Sequence, residues 1–232
     1  RQYYLRSRRR ASTSNNAKML PSRAAALGAM GAAGSEGVDK WGMPWLDTFI
    51  TDYGLFKVCW CSRTRNPKWV LEKLNKSTIN GKGSRRNVNF HEDQRIDPRF
   101  RSHLRDFRGS GFDRGHLAPA ADFRCSQQAI ENSFLLSNVS PQQGEGFNRG
   151  YWARLEDFVR GLTDGGDDVY VVTGPLFLPV SDDTVGAATP WRMQYPLLGS
   201  PPELVAVPTH FFKVVLLDSG NGINTSPAVA AF

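Results

Sequence analysis

One of the four histidines in this chain sits in a setting suited to proton transfer. His116 closes the run Gly111-Phe112-Asp113-Arg114-Gly115-His116, and the small-residue stretch Leu117-Ala118-Pro119-Ala120-Ala121-Asp122 follows it. Gly115 lets backbone or a substrate approach the imidazole closely. Asp113 and Arg114 supply one charge of each sign, and an imidazole pKa near ~6.5 suits general-base work at neutral pH. The same run also reads as a turn closed by an Asp113 to Arg114 ion pair. His91 and His103 lie in charged surroundings and read as surface residues, while His210 opens an apolar run as a satisfied strand-end histidine.

A second cluster lies downstream. Asn138-Val139-Ser140-Pro141-Gln142 leads through a Gly-rich loop, Gln143 to Phe147, into Asn148, with Glu156 and Arg160 beyond. An amide oxygen is a hard, neutral ligand suited to a Mg²⁺ ion that keeps most of its waters, and a carboxylate such as Glu156 can hold one of those waters. A neutral ligand also leaves the ion's charge available to an incoming phosphodiester. Taken singly, Asn148 is equally a helix N-cap, and Glu156 with Arg160 an i,i+4 surface pair.

The elements that must position these residues are partly legible. Asn148 to Leu162 is the clearest helix: Tyr151, Trp152, Leu155, Phe158, Val159 and Leu162 recur at spacings of 3 and 4, and Gly165 and Gly166 follow as stop signals. By helix rise alone, Asn148 and Glu156 are about 12 Å apart along the axis, a gap that two side chains and a metal-bound water span. Gly54 to Cys61 and Trp69 to Leu74, joined through Arg63 to Pro67, read as a hairpin. Phe134 to Leu136, Val169 to Thr173 and Phe211 to Leu217 are further strands. There is no internal repeat and no βαβ alternation, so the expected class is α+β on a largely antiparallel mixed sheet.

Charge is unevenly spread. The net +7 belongs to residues 1 to 35, which hold seven basic and no acidic residues. The remainder is neutral overall, but residues 57 to 124 carry sixteen basic and seven acidic residues, and residues 125 to 232 carry five and eleven. Bulk charge therefore does not license a nucleic-acid binder, whereas the internal basic segment does. The Arg-, Ser- and Ala-rich leader over residues 1–37 has the composition of a mitochondrial presequence, with a disordered basic tail as the alternative reading. Cys59, Cys61 and Cys125 make no disulfide framework or zinc spacing. No run of about 18 apolar residues suggests a membrane span.

The blocks DRGHLAPAADF (Asp113 to Phe123), FLLSNVSPQ (Phe134 to Gln142), FNRGYWARLE (Phe147 to Glu156), VVTGPLF (Val171 to Phe177) and VPTHFFKVV (Val207 to Val215) together closely resemble the DNA/RNA non-specific endonucleases. Within them the resemblance is to the endonuclease G branch of mitochondrial nucleases, nearest its fungal members, over roughly Trp41 to Phe232.

That resemblance implies a ββα-metal nuclease fold, in which a strand carries the base and a helix carries the ligand, and a homodimer. It implies His116 as general base, Asn148 as the protein ligand of one Mg²⁺, with Mn²⁺ able to substitute, and Glu156 as the carboxylate holding metal-bound waters. Arg160 is implied near the scissile phosphate and Asn138 in a supporting active-site role. Arg114 is expected as a substrate contact, together with a further arginine that is either Arg85 or Arg86. The activity implied is sequence-non-specific hydrolysis of DNA and RNA to 5′-phosphate ends, in the mitochondrial intermembrane space or at the inner membrane. The domain expected over residues 38–232 stops short of the family's C-terminal strand and helical segment. Two competing readings are a non-catalytic nucleic-acid-binding relative and a thiol hydrolase pairing Cys125 with His116.

Overall fold

The computed structural model describes residues 37, 38, 40, 42, 49–181, 191–219 and 228–232. The basic leader expected over residues 1–37 lies outside the described residues except for Gly37. In chain order the strands begin with β1 (Ile50–Asp52), β2 (Phe56–Cys61) and β3 (Asn66–Leu74), an antiparallel meander. The short helices α1 (Lys76–Ile79) and α2 (Leu104–Phe107) precede β4 (Phe112–His116). Helix α3 (Gln127–Ser133) then leads to β5 (Val139–Gln143), and α4 (Ala153–Gly161) follows. The chain continues through β6 (Asp168–Leu176), β7 (Val180–Ser181), β8 (Trp191–Arg192), β9 (Leu197–Ser200), β10 (Glu203–Ala206), β11 (His210–Asp218) and β12 (Ala228–Ala231).

The main sheet runs β1-β2-β3-β6-β11-β12, with every neighbouring pair antiparallel. The apolar runs expected to be central, Val169 to Thr173 and Phe211 to Leu217, lie in β6 and β11, which pair over nine residues. The β2–β3 hairpin forms as expected but closes earlier. Strand β3 begins at Asn66 because that buried side chain donates to the carbonyls of Thr64 and Ala206, both at 2.8 Å. A register shift between Cys59 and Trp60 sets Pro67 opposite Trp60, which accommodates a residue unable to donate to the ladder.

Helix α4 lies on this sheet, packing Val159, with Leu155 and Leu162, against Leu74, Val169, Val171 and Val215. Two members of its expected apolar stripe, Tyr151 and Phe158, are exposed instead. Residues Gly144–Trp152 form wide helical turns broken by non-helical Glu145 and Gly146, so Tyr151 is offset from the regular helical phase. Phe158 meets the ring of Phe232 edge-on, with 6.1 Å between centroids. The strand expected at Phe134 to Leu136 is absent. Those residues end α3 and enter a tight turn, and all three are buried; an apolar run buried on all sides carries no period to mark it as strand or helix. The strand starts at Val139, where β5 pairs antiparallel with β4. The sequence β4, β5, wide turns and α4 is the ββα unit of an α+β ββα-metal nuclease fold.

Candidate active site

Strand β4 ends at His116, opposite Val139 of β5. The imidazole sits between two phenyl rings, 5.0 Å from Phe90 and 4.7 Å edge-on from Phe134 by centroid. Its Nε2 is sealed from solvent and has no hydrogen-bond partner among the described residues, leaving Nδ1 as the nitrogen that meets solvent. Burial, and then the nearby Arg85 guanidinium, lower its pKa to about 3. The ring is therefore neutral throughout the physiological range, with a lone pair available to take a proton.

Asn148 lies within the wide turns after β5 and is not an N-cap. Its Nδ2 donates to Asp113 Oδ2 at 2.9 Å, and Arg149 Nε lies 3.0 Å from the same oxygen. Asp113 thus pairs with Arg149 and not with Arg114. The contact is tight at Gly144, where a Cβ would sit 2.8 Å from Asp113 Oδ2. One turn of α4 separates Glu156 from Arg160. Arg160 bonds Asp122, and its Nη2 donates to Asp157 at 2.7 Å, so it is not the surface partner of Glu156.

Beneath these groups lies a buried charge cluster that the sequence reading did not identify. Lys213, 1% exposed on β11, donates from Nζ to Thr173 Oγ1 at 2.8 Å and to the Leu117 carbonyl at 3.2 Å. It also lies 5.1 Å from the Trp152 ring centroid. Burial raises the Asp122 carboxyl to about 6 against the pull of Arg160 and Lys213. Burial likewise raises Glu156 to about 7, opposed first by Lys213, and pushes Glu72 well above the usual carboxylate range. The available signal was Lys213 as the lone charge in the apolar run Phe211 to Leu217; Glu72, next to Lys73 in Trp69 to Leu74, gave a weaker one.

His116, Asn148, Glu156, Arg160 and Arg85 line one cleft of about 460 Å³, joined by Arg149. Five of the eight expected site residues therefore meet. Arg85, not Arg86, is the arginine upstream of β4 that reaches the cleft. Arg114 is outside the lining, stacked 5.0 Å from the Phe90 centroid, while Arg85 lies 5.8 Å from the Phe134 centroid.

Asn138 is also outside the lining. It is fully buried, with Oδ1 accepting from the Ala118 N–H at 3.0 Å and Nδ2 donating to the carbonyls of Ala118 at 2.8 Å and Ser133 at 2.9 Å. Its amide ties down the segment just after His116, an indirect positioning contact in place of the expected active-site position. His103, expected at the surface, is buried with Nδ1 3.0 Å from Glu92 Oε2. His91 and His210 are exposed. Cys125 is exposed and absent from the cleft lining, so it forms no dyad with His116.

The basic segment contributes less directly than its charge suggested. Of its arginines only Arg85 lines the cleft; Arg149 and Arg160 come from the acidic half. Several others are engaged elsewhere: Arg65 donates to the Arg101 carbonyl at 2.6 Å, and Arg105 bonds Glu203.

The donor set fits a hydrated divalent cation. Among the described residues no cluster of three His, Cys, Asp or Glu side chains is arranged to hold a metal. An ion here would have to rely on few protein oxygens and keep much of its water, as Mg²⁺ does. Asp113 engages the Asn148 amide nitrogen, leaving Oδ1 as the acceptor. The Glu156 carboxylate borders the cleft without a protein hydrogen-bond donor among the described residues.

Comparison with known proteins agrees with this geometry. Residues 42–232 match the family model of the DNA/RNA non-specific endonucleases. The chain is 45% identical over 199 residues to the "Mitochondrial nuclease" of Saccharomyces cerevisiae, covering 84% of this chain and 59% of that one. It is 40% identical over 195 residues to "Endonuclease G, mitochondrial" of Bos taurus, covering 84% and 62%. A chain in a crystal structure of an EndoG/EndoGI complex superposes with a TM-score of 0.75 at 36% identity, covering 84% of this chain and 76% of that one. The chain thus spans roughly six-tenths of the length of these curated relatives. It belongs to the DNA/RNA non-specific endonuclease family, in the endonuclease G branch.

Proposed function

We propose that this chain carries the active site of a metal-dependent endonuclease that hydrolyses phosphodiester bonds of DNA and RNA with little sequence preference. The observation that carries the reading is the convergence in one cleft of a neutral, desolvated imidazole, an amide oxygen, a carboxylate without a donor and three arginines. His116 takes a proton from the attacking water. The resulting oxygen forms the new bond to phosphorus as the bond to the 3′ oxygen breaks; the departing 3′ oxygen takes a proton from solvent water, leaving a 5′-phosphate and a 3′-hydroxyl, and His116 returns its proton to solvent. Arg85 and Arg160 neutralise the non-bridging oxygens, where charge accumulates in the transition state.

Asn148 would hold a Mg²⁺ ion directly and Glu156 would hold its waters; when bound, the ion neutralises charge on the phosphate and departing oxygen. Asp113 orients Asn148, and Asp122 orients Arg160. The cleft presents charge for phosphate and no set of side chains arrayed for base edges, which supports weak sequence preference. The names of the two curated relatives support a mitochondrial location, consistent with a presequence-like leader. Among the described residues no helix is long and apolar enough to cross a membrane. The homodimer remains part of the proposal and is measured by light scattering of the full chain.

The deciding experiment is plasmid nicking with Mg²⁺, with excess EDTA, and with the His116→Ala variant. Nicking that needs the metal and falls by about 10²–10⁴-fold in His116→Ala, the range for a general base, is expected. Near-normal turnover by a folded His116→Ala protein would refute the assignment.

A further inference from the structure

Beside the cleft is a second hollow of about 270 Å³, with Gly83, Arg124 and Ile130 in its lining. It shares Arg85, Ala120 and Ala121 with the cleft, so the two hollows adjoin. Its chemistry is graded. Buried Ile130 and Ala120 support the floor, Ala121 is its exposed apolar surface, Arg85 and Arg124 are exposed cations, and no carboxylate lines it. Among the described residues, no side-chain hydrogen bond or ion pair engages the exposed Arg124 guanidinium.

The walls are held firmly although they are loops. Gly83 N–H donates to the Arg124 carbonyl at 2.9 Å, and Cys125 N–H to the Thr78 carbonyl at 3.0 Å. The Gln127 side chain closes the other end, accepting from Ser84 N–H at 3.0 Å and donating to the Ser84 carbonyl at 3.2 Å. Packing leaves no room for a side chain at Gly83, where a Cβ would lie 2.7 Å from Ile130 Cδ1 and 2.8 Å from the Arg124 carbonyl oxygen. The loop bearing Arg85 is thereby fastened to the segment bearing Arg124, which fixes the backbone from which both cations project and leaves only their side chains to be ordered on binding.

We infer that this hollow is a subsite for the nucleotide next to the scissile bond, with Arg124 meeting the neighbouring phosphate and Ala121 lying under the sugar. Arg85 lies between the two phosphates and serves both. The assignment rests on the phosphodiesterase reading of the main cleft. It makes recognition extend one unit along the strand while remaining indifferent to base identity, because the floor offers apolar contact and the rim offers charge.

The test compares two substrates in the presence of Mg²⁺. One is a fluorescent single-stranded oligonucleotide, which has flanking phosphates; the other is bis(p-nitrophenyl) phosphate, which has one phosphodiester and none. Arg124→Ala is expected to raise KM for the oligonucleotide about tenfold with kcat unchanged, as for a lost charge-assisted hydrogen bond. It should also flatten the dependence of log(kcat/KM) on log salt by about 0.7, one phosphate contact on a single strand. Hydrolysis of bis(p-nitrophenyl) phosphate should not change, and Arg124→Lys should recover part of the oligonucleotide KM. An unaltered oligonucleotide KM and salt slope, or equal losses on both substrates, overturns the subsite. A folded wild-type protein inactive on both substrates would instead overturn the underlying nuclease reading.

Discussion

Replacing Lys213 by Met tests whether the site rests on a buried counter-charge. Methionine fills much of the lysine stem's volume and removes the amine, which is 1% exposed and bonded to Thr173 and Leu117. Removing one partner from a buried ionic cluster typically costs about 3–5 kcal/mol, including the hydrogen bonds of the lost ion. That range is expected at pH 7.5, where the Asp122 and Glu156 carboxyls, raised to about 6 and about 7, are both substantially ionised. A carboxyl whose pKa is raised on folding favours the fold at low pH, and that contribution is lost as pH rises through the folded value. Without Lys213 the folded values rise further, so the loss between pH 5.5 and 7.5 is larger in the variant. At pH 5.5 the penalty should fall to about 1–3 kcal/mol, because protonated carboxyls no longer need the cation. His116, lowered to about 3, acts oppositely: its stabilisation is present above its unfolded pKa and fades as pH falls. It does so in both proteins and largely cancels from their difference. Urea unfolding in EDTA at the two pH values, followed by tryptophan fluorescence, measures both penalties. A penalty below about 0.5 kcal/mol at pH 7.5, the range of ordinary surface substitutions, or the same penalty at both pH values, would refute the reasoning.

Three further outcomes are expected. Asn148→Ala should move the Mg²⁺ midpoint for cleavage upward by about tenfold or more, the lower end of losses seen when metal-site support is removed; an unchanged titration removes Asn148 from the metal. NMR of the metal-free protein should find no His116 midpoint between pH 5 and 8, since burial and Arg85 hold it far lower. Arg85→Ala should raise that value by removing the second cause, and a normal midpoint near ~6.5 in wild type contradicts the desolvated base. Finally, Arg85→Ala should reduce kcat/KM by about 10–100-fold, a loss of one charge-assisted contact at the phosphate. Arg86→Ala should leave it near wild type; equal effects would count against the cleft lining.

The local sequence patterns identified most of the sheet and the helix, but not their detailed phase. Val169 to Thr173 and Phe211 to Leu217 were visible because continuous β-branched and aromatic runs favour buried strands. Phe134 to Leu136 looked the same and is not a strand, because burial from every side erases the alternation that distinguishes a half-buried one. Tyr151 misled in the other direction: the pattern assumes a uniform 3.6-residue turn, and the wide turns around Gly146 break it. At the site, His116, Asn148, Glu156 and Arg160 were found through blocks of fixed spacing. Asn138 lay in the same recognisable block, yet its amide is fully used in holding backbone. Choosing between Arg85 and Arg86 required knowing how the loop folds onto Arg124, a contact about forty residues away that local spacing does not encode. Lys213 and Glu72 were in plain view as charges out of place, but their relation to the cleft is a property of the sheet's pairing.

The shared oxygen of Asp113 has a geometric consequence. The proposed base and the proposed metal ligand come from segments 32 positions apart, yet the path linking them through structure is short: three steps along β4 from His116 to Asp113, then one 2.9 Å bond to Asn148. Positional error accumulates over the links of such a path and not over the intervening chain. The exposed part of the excursion between them, Arg124 to Gln128, can therefore exchange side chains with little effect on the spacing between these two residues, so long as β4 stays paired with β5 and Phe134 and Asn138 keep their contacts with His116 and Ala118. Contacts of the proposed subsite, Arg124 among them, can diverge in that excursion while the proposed base and ligand keep their spacing.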